Sequence, residues 1–160
     1  MHPRRSARPP TGVSASPPTG RASGSGAAPP EWLVQSPKLK AAFEKHLAET
    51  EGQIERLDSI DETPKGKTCD AILGLIDESK EVMDEYKGMP ALDAGLAASA
   101  QAVEHYEISR YGTLKTWASE LGLPDAAALL DATLKEEKAT DLALTALAKS
   151  VVNVEAEADI

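Results

Sequence analysis

Ser36-Pro-Lys-Leu-Lys-Ala-Ala-Phe-Glu-Lys-His-Leu-Ala-Glu-Thr-Glu-Gly-Gln-Ile-Glu-Arg-Leu-Asp58 opens on a helix N-cap followed by proline at the first helical position, and then keeps a helical period to its end. At about 100° per residue, Leu39, Ala42, Phe43, Thr50, Ile54 and Leu57 fall on one stripe, with His46 and Gln53 inside it and Glu49 at its edge. Glu44, Glu51 and Glu55 lie on the far side as solvated charges. A helix that turns an imidazole and a carboxylate into its own apolar face needs something there to neutralise them. Burying an uncompensated charge costs several kcal/mol.

Three more helical segments follow, and two repeat the pattern. About Thr68 to Lys87, ended by Gly88, places Cys69, Ile72, Leu73, Ile76, Met83 and Tyr86 on one face, with no acid at its centre. From near Pro90 to about Leu121, closed by Gly122, the stripe is Leu92, Leu96, Ala100, Val103, Leu114, Ala118 and Leu121. Glu107 stands at the centre of that line, with Glu104 and Tyr111 beside it, whereas His105 points nearly opposite and reads as a surface histidine. Pro124 and Asp125 begin the last helix, which reaches about Val151 and aligns Leu130, Leu134, Leu144, Ala148 and Val151. Glu137 is central there, Asp141 sits one turn on, and Glu136 and Lys138 face away. No β alternation or internal repeat interrupts this. The fold class is all-α, a helical bundle.

Composition narrows the chemistry. The 160 residues suffice for one domain, and 41% hydrophobic content with only 4% aromatic residues implies an aliphatic core. A net charge of −9 and an isoelectric point near 4.8 argue against nucleic acid or an anionic membrane as partner. Cys69 is the lone cysteine, which excludes an internal disulfide and a thiolate cluster within one chain. No run approaches the roughly 18 apolar residues of a membrane span, and no apolar region follows Arg4 and Arg5, so a cytoplasmic location is expected. Residues 1–30 hold seven of the eleven prolines, four arginines and no acid, which leaves −13 on the remainder. Such a segment reads as a disordered head. The expected organisation is therefore a head at 1–30, a helical domain at 31–152 and a tail at 153–160.

His46, Glu49, Glu104, Glu107, Glu137 and Asp141 are the candidate metal ligands. Five carboxylates on converging stripes must raise one another's pKa values or recruit a cation. Arg56 or Arg110 could supply it by pairing with Glu49 or Glu107. A metal is the other solution, and carboxylates with an imidazole inside a helical bundle suit iron or manganese.

The stretch from Leu39 to Leu57, together with Val103-Glu-His-Tyr-Glu-Ile, Tyr111-Gly-Thr-Leu and Glu136-Glu-Lys-Ala-Thr-Asp, resembles the YciE/YciF stress-protein family over about residues 31–150. That resemblance implies a ferritin-like bundle, a homodimer, and a role as a stress protein or ferroxidase. It assigns His46, Glu49 and Gln53 to the family's second helix, Glu104 and Glu107 to its third main helix, Glu137 and Asp141 to its last, and 68–87 to a crossing connector. It also implies two metals bridged by carboxylates that oxidise Fe(II) with O₂ or peroxide, His46 supplying nitrogen and Tyr111 a hydrogen bond or an electron. The family's first helix, which carries an inward Glu, lies between segments like Glu31-Trp-Leu-Val-Gln35 and Ser36-Pro-Lys-Leu-Lys. Here those pieces are joined directly, so a bundle without that helix is expected. Its uncovered apolar stripes support the alternative expectation, a non-catalytic helical interaction or dimerisation protein.

Overall fold

Proline and glycine set the helix boundaries. In the computed structural model, which describes residues 33–60 and 68–158, α1 spans Pro37–Asp58, α2 Asp70–Glu85, α3 Leu92–Glu120 and α4 Pro124–Leu147. A π-helical turn, Ala148–Val152, leads on into a short α5, Asn153–Glu157. Pro37 and Pro124 start their helices, where the missing N–H has no intrahelical acceptor to lose. Gly88 and Gly122 follow α2 and α3 with φ of 75° and 71°, the left-handed region that a Cβ disfavours. Among the described residues there is no strand, and the chain forms the all-α bundle its periodicity implies. The proposed head at 1–30 lies outside the described residues.

A tight turn at 121–123 makes α3 and α4 an antiparallel hairpin; α1 packs along α4, and α2 packs along α3. Apolar packing concentrates at the two ends of this arrangement. At one end Leu33, Leu39, Leu92, Leu96, Ala97, Leu144 and Val152 form a buried cluster with Phe43, Met83 and Tyr86 against it. At the other, Ala118, Ala127 and Leu130 pack with Tyr111. Midway between them, where the hydrophobic pattern would place another apolar layer, stand Glu104 and Glu137, 1% and 0% exposed.

Several local expectations change. Ser36 occupies the N-cap position of α1, yet its hydroxyl makes no capping bond and is buried without a partner. The anchoring acid is instead Asp93, in the first turn of α3, whose carboxylate accepts the backbone N–H groups of Gln35 (3.0 Å) and Ser36. A carboxylate at a helix N-terminus meets both unpaired donors and the positive end of the helix dipole. On α2 Ile72, Ile76, Met83 and Tyr86 are half-buried as expected and are joined by Leu75 and Val82, while Leu73 is 45% exposed. Ile54, Leu57, Leu114 and Leu121, assigned to buried stripes, are exposed, whereas Gln53 and Ala118 on the same stretches of α1 and α3 are buried against α4. The tail expected from 153 is helical through Glu157. The π turn adds a residue to one turn, so Val152, not Val151, becomes fully buried.

The approach of α2 to α3 is close at Gly95. A Cβ there would stand 2.7 Å from Cγ1 of Val82, so only glycine lets the two backbones meet at this distance.

Candidate metal centre

Three helices each bring a polar group to the middle layer. His46 comes from α1, Glu104 and Glu107 from successive turns of α3, and Glu137 from α4, and each offers a ligand atom within 4.8 Å of all the others. The facing heights follow from the hairpin: its closed end pairs Ala118 with Ala127 and its open end pairs Leu96 with Leu144, which sets Glu104 opposite Glu137. His46 reaches across from α1, with Nε2 3.2 Å from Oε1 of Glu104.

Hydrogen bonding leaves this layer incomplete. Both oxygens of Glu137, Oε2 of Glu104 and Nδ1 of His46 are buried without a partner. No Lys or Arg among the described residues forms an ion pair with Glu104, Glu107 or Glu137. The electrostatic consequence falls on protonation. Burial, the adjacent Glu137 carboxylate and the charges of Glu107 and Asp141 push Glu104 up to about 9. Burial and the charge of Glu137 raise Glu107 to about 7. Tyr111, one turn beyond Glu107, is raised to about 12 by burial and by Glu107 and Glu137. Without a cation the layer thus holds protons at neutral pH, as expected of carboxylates forced together in a low-dielectric site.

These donors fit a metal ion. The unpaired inward atoms are oxygens and an imidazole nitrogen, the ligand types iron and manganese favour, and a divalent cation would replace the protons that hold the carboxylates together.

Two of the six predicted ligands are not in this converging set. Glu49 pairs with Lys45 one turn back on α1, although its Oε2 remains buried without a donor. Asp141 Oδ1 accepts from Gln101 Nε2 at 3.0 Å and faces His105 Nε2 at 3.1 Å; the same Gln101 nitrogen lies 2.7 Å from Thr145 Oγ1. His105 is the surface residue expected, with its side chain 69% exposed, but it has a partner. Glu104, placed beside the stripe by periodicity, is instead among its most buried members.

Sequence reasoning missed the clamp that seats α1. Arg56 donates from Nη1 and Nη2 to the two oxygens of Glu136, at 2.9 and 2.8 Å, and from Nη1 to Thr133 Oγ1 at 2.6 Å. Gln53 Nε2 adds a bond to Glu136 at 3.3 Å. Arg56 therefore serves neither Glu49 nor Glu107, and Glu136 does not simply face away. Arg110, the other expected counter-ion, stacks 4.9 Å from the Tyr106 ring. The available signal was that Gln53 and Arg56, like Thr133 and Glu136, sit three apart and so share a face.

Residues 33–157 match the family described as Domain of unknown function (DUF892). The chain belongs to that family. It is 51% identical to Protein YciF of Escherichia coli K12 over 125 residues, which cover 75% of each chain. The crystal structure of the E. coli stress protein YciF superposes with a TM-score of 0.72 at 48% identity, covering 77% of this chain and 80% of that one. YcfI from Rhodopseudomonas palustris, called a structural protein, gives a TM-score of 0.69 at 44% identity over 72% and 76%. Membership in DUF892 thus bears out the YciF resemblance drawn from the three motifs.

Proposed function

We propose that this DUF892 protein is a stress-associated, ferritin-like metal protein of the YciF type that holds iron or manganese between α1, α3 and α4 and has ferroxidase-like activity. One observation carries the reading: Glu137 is fully buried with neither oxygen bonded, in a layer where His46, Glu104 and Glu107 also converge. A buried carboxylate left in that state is costly, and a cation relieves the cost.

His46, Glu104, Glu107 and Glu137 would hold the metal, which supplies one-electron redox chemistry toward O₂ or peroxide. The chain's own contribution is positional and protonic. Glu104 and Glu107 give up protons as the cation arrives, and the apolar clusters flank the layer at its two ends. The Arg56–Glu136 clamp fixes α1 on α4, and so the reach of His46 to Glu104. Tyr111 borders the layer as a neutral phenol. Protein purified from cells supplied with iron and manganese should contain bound metal and oxidise Fe(II) faster than the ion alone. Glu137→Ala should lose both, and metal-free, inactive wild-type protein would refute the reading.

A second reading, a helical association protein working as a homodimer, is favoured by Leu114, Trp117 and Leu121. They are 42%, 60% and 74% exposed at helical spacing on one side of α3.

A further inference from the structure

The implied dinuclear centre and the geometry of this chain disagree. Two ions about 3.5–4 Å apart, each with outer ligands about 2 Å further out, need donors spread over about 8 Å. One ligand atom from each of the four converging residues lies within 4.8 Å of the other three. That is the scale of one coordination sphere, in which opposite ligands at about 2.1 Å from the ion stand about 4.2 Å apart. Charge points the same way. Glu104, Glu107 and Glu137 can neutralise one divalent ion with one carboxylate to spare. A second ion would call on the next nearest acids on the same helices, Glu49 and Asp141.

Both of those acids are already engaged. Lys45 Nζ neutralises Glu49 from the preceding turn of α1. Gln101 Nε2 donates to Asp141 Oδ1, and His105 Nε2 faces the same oxygen. Gln101 is in turn held against Thr145, so Asp141 belongs to a hydrogen-bonded strap between α3 and α4. Glu49 is the residue that could reverse the count, because its other oxygen is buried and has no donor.

Building on the metal-binding reading above, we infer that the centre takes one divalent ion per chain, held by His46, Glu104, Glu107 and Glu137, and that Lys45 and the Gln101–His105 pair occupy the two carboxylates a second ion would require. Lys45 then stands in for the second metal as a resident cation. Glu49 and Asp141 act as structural acids.

Anaerobic calorimetric titration of the metal-free full chain with Mn(II), and separately with Fe(II), tests this. The expected equivalence point is one ion per chain. It should stay at one, with unchanged affinity, in Glu49→Gln and in Asp141→Asn. Glu137→Gln and His46→Ala should weaken binding at least about 10-fold, with helix content checked by circular dichroism. Two ions in the wild type, falling to one in Glu49→Gln or Asp141→Asn, would overturn the inference while leaving the metal-binding reading intact. No ion in folded wild-type protein would overturn both.

Discussion

Glu104 and Glu107 show how much a side chain's surroundings decide. Both have the ordinary carboxylate chemistry of the exposed Glu44 or Glu55, but burial beside Glu137 raises Glu104 to about 9 and Glu107 to about 7. A carboxyl that keeps its proton longer when folded than when unfolded makes stability fall as pH rises, because the folded state binds more protons. The window runs from the unfolded value near 4.5 to the folded values. Metal-free protein should therefore lose stability steadily between pH 5 and pH 9, seen as a falling urea midpoint. Glu107→Gln should flatten that fall between about pH 5 and pH 7 and leave the part above pH 7, which belongs to Glu104, in place. The Arg56 clamp has the opposite character, since each guanidinium bond meets an acceptor on α4. Arg56→Met should cost about 1–3 kcal/mol, because Thr133 Oγ1 loses the guanidinium and Glu136 keeps only the Gln53 amide as donor.

At the scale of elements, the limits of each helix were legible because proline and glycine act locally: Pro37, Gly88, Gly122 and Pro124 stand where the chain turns. The pairing of helices was less so. Periodicity places Glu137 and Glu107 on inward faces, but it carries no information on which turn of one helix meets which turn of another. Glu104 was therefore under-rated, and the bonds of Asp93, Arg56 and Gln101 to other helices could not be read. For the same reason four of six candidate ligands converge while Glu49 and Asp141 find other partners. Gly95 offers a test of the interhelical contact. Alanine there gains about 1 kcal/mol of helix propensity, but its methyl meets Val82 Cγ1 at 2.7 Å, a clash with a stiff β-branched side chain. Overpacking of this kind costs about 1–3 kcal/mol. Gly95→Ala should thus lower the melting temperature by a few degrees, and an unchanged or higher value would show that α2 is not held to α3 as described.

Across the whole molecule, two apolar clusters flank a polar layer in which both oxygens of Glu137, Oε2 of Glu104 and Nδ1 of His46 are buried without a partner. The outer surface has its own imbalance: Leu47, Ile54 and Leu57 on α1 and Leu114, Trp117 and Leu121 on α3 are exposed at helical spacing. If the α3 line is the association face, Trp117→Lys with Leu121→Lys should shift the mass in solution from dimer to monomer without changing helix content. A wild-type monomer would remove that reading and leave the metal centre untouched. No helix among the described residues is long and apolar enough to cross a membrane.

On the proposed function, Glu137 and its neighbours destabilise the fold until a cation joins them. Thermal unfolding of wild type and Glu137→Gln, each metal-free and with Mn(II) or anaerobic Fe(II) at pH 7.5, tests it most directly. Metal should raise the wild-type melting temperature. Glu137→Gln should be at least as stable as metal-free wild type and should gain less from metal than wild type does. A wild-type protein unmoved by either ion, with Glu137→Gln melting lower, would contradict it.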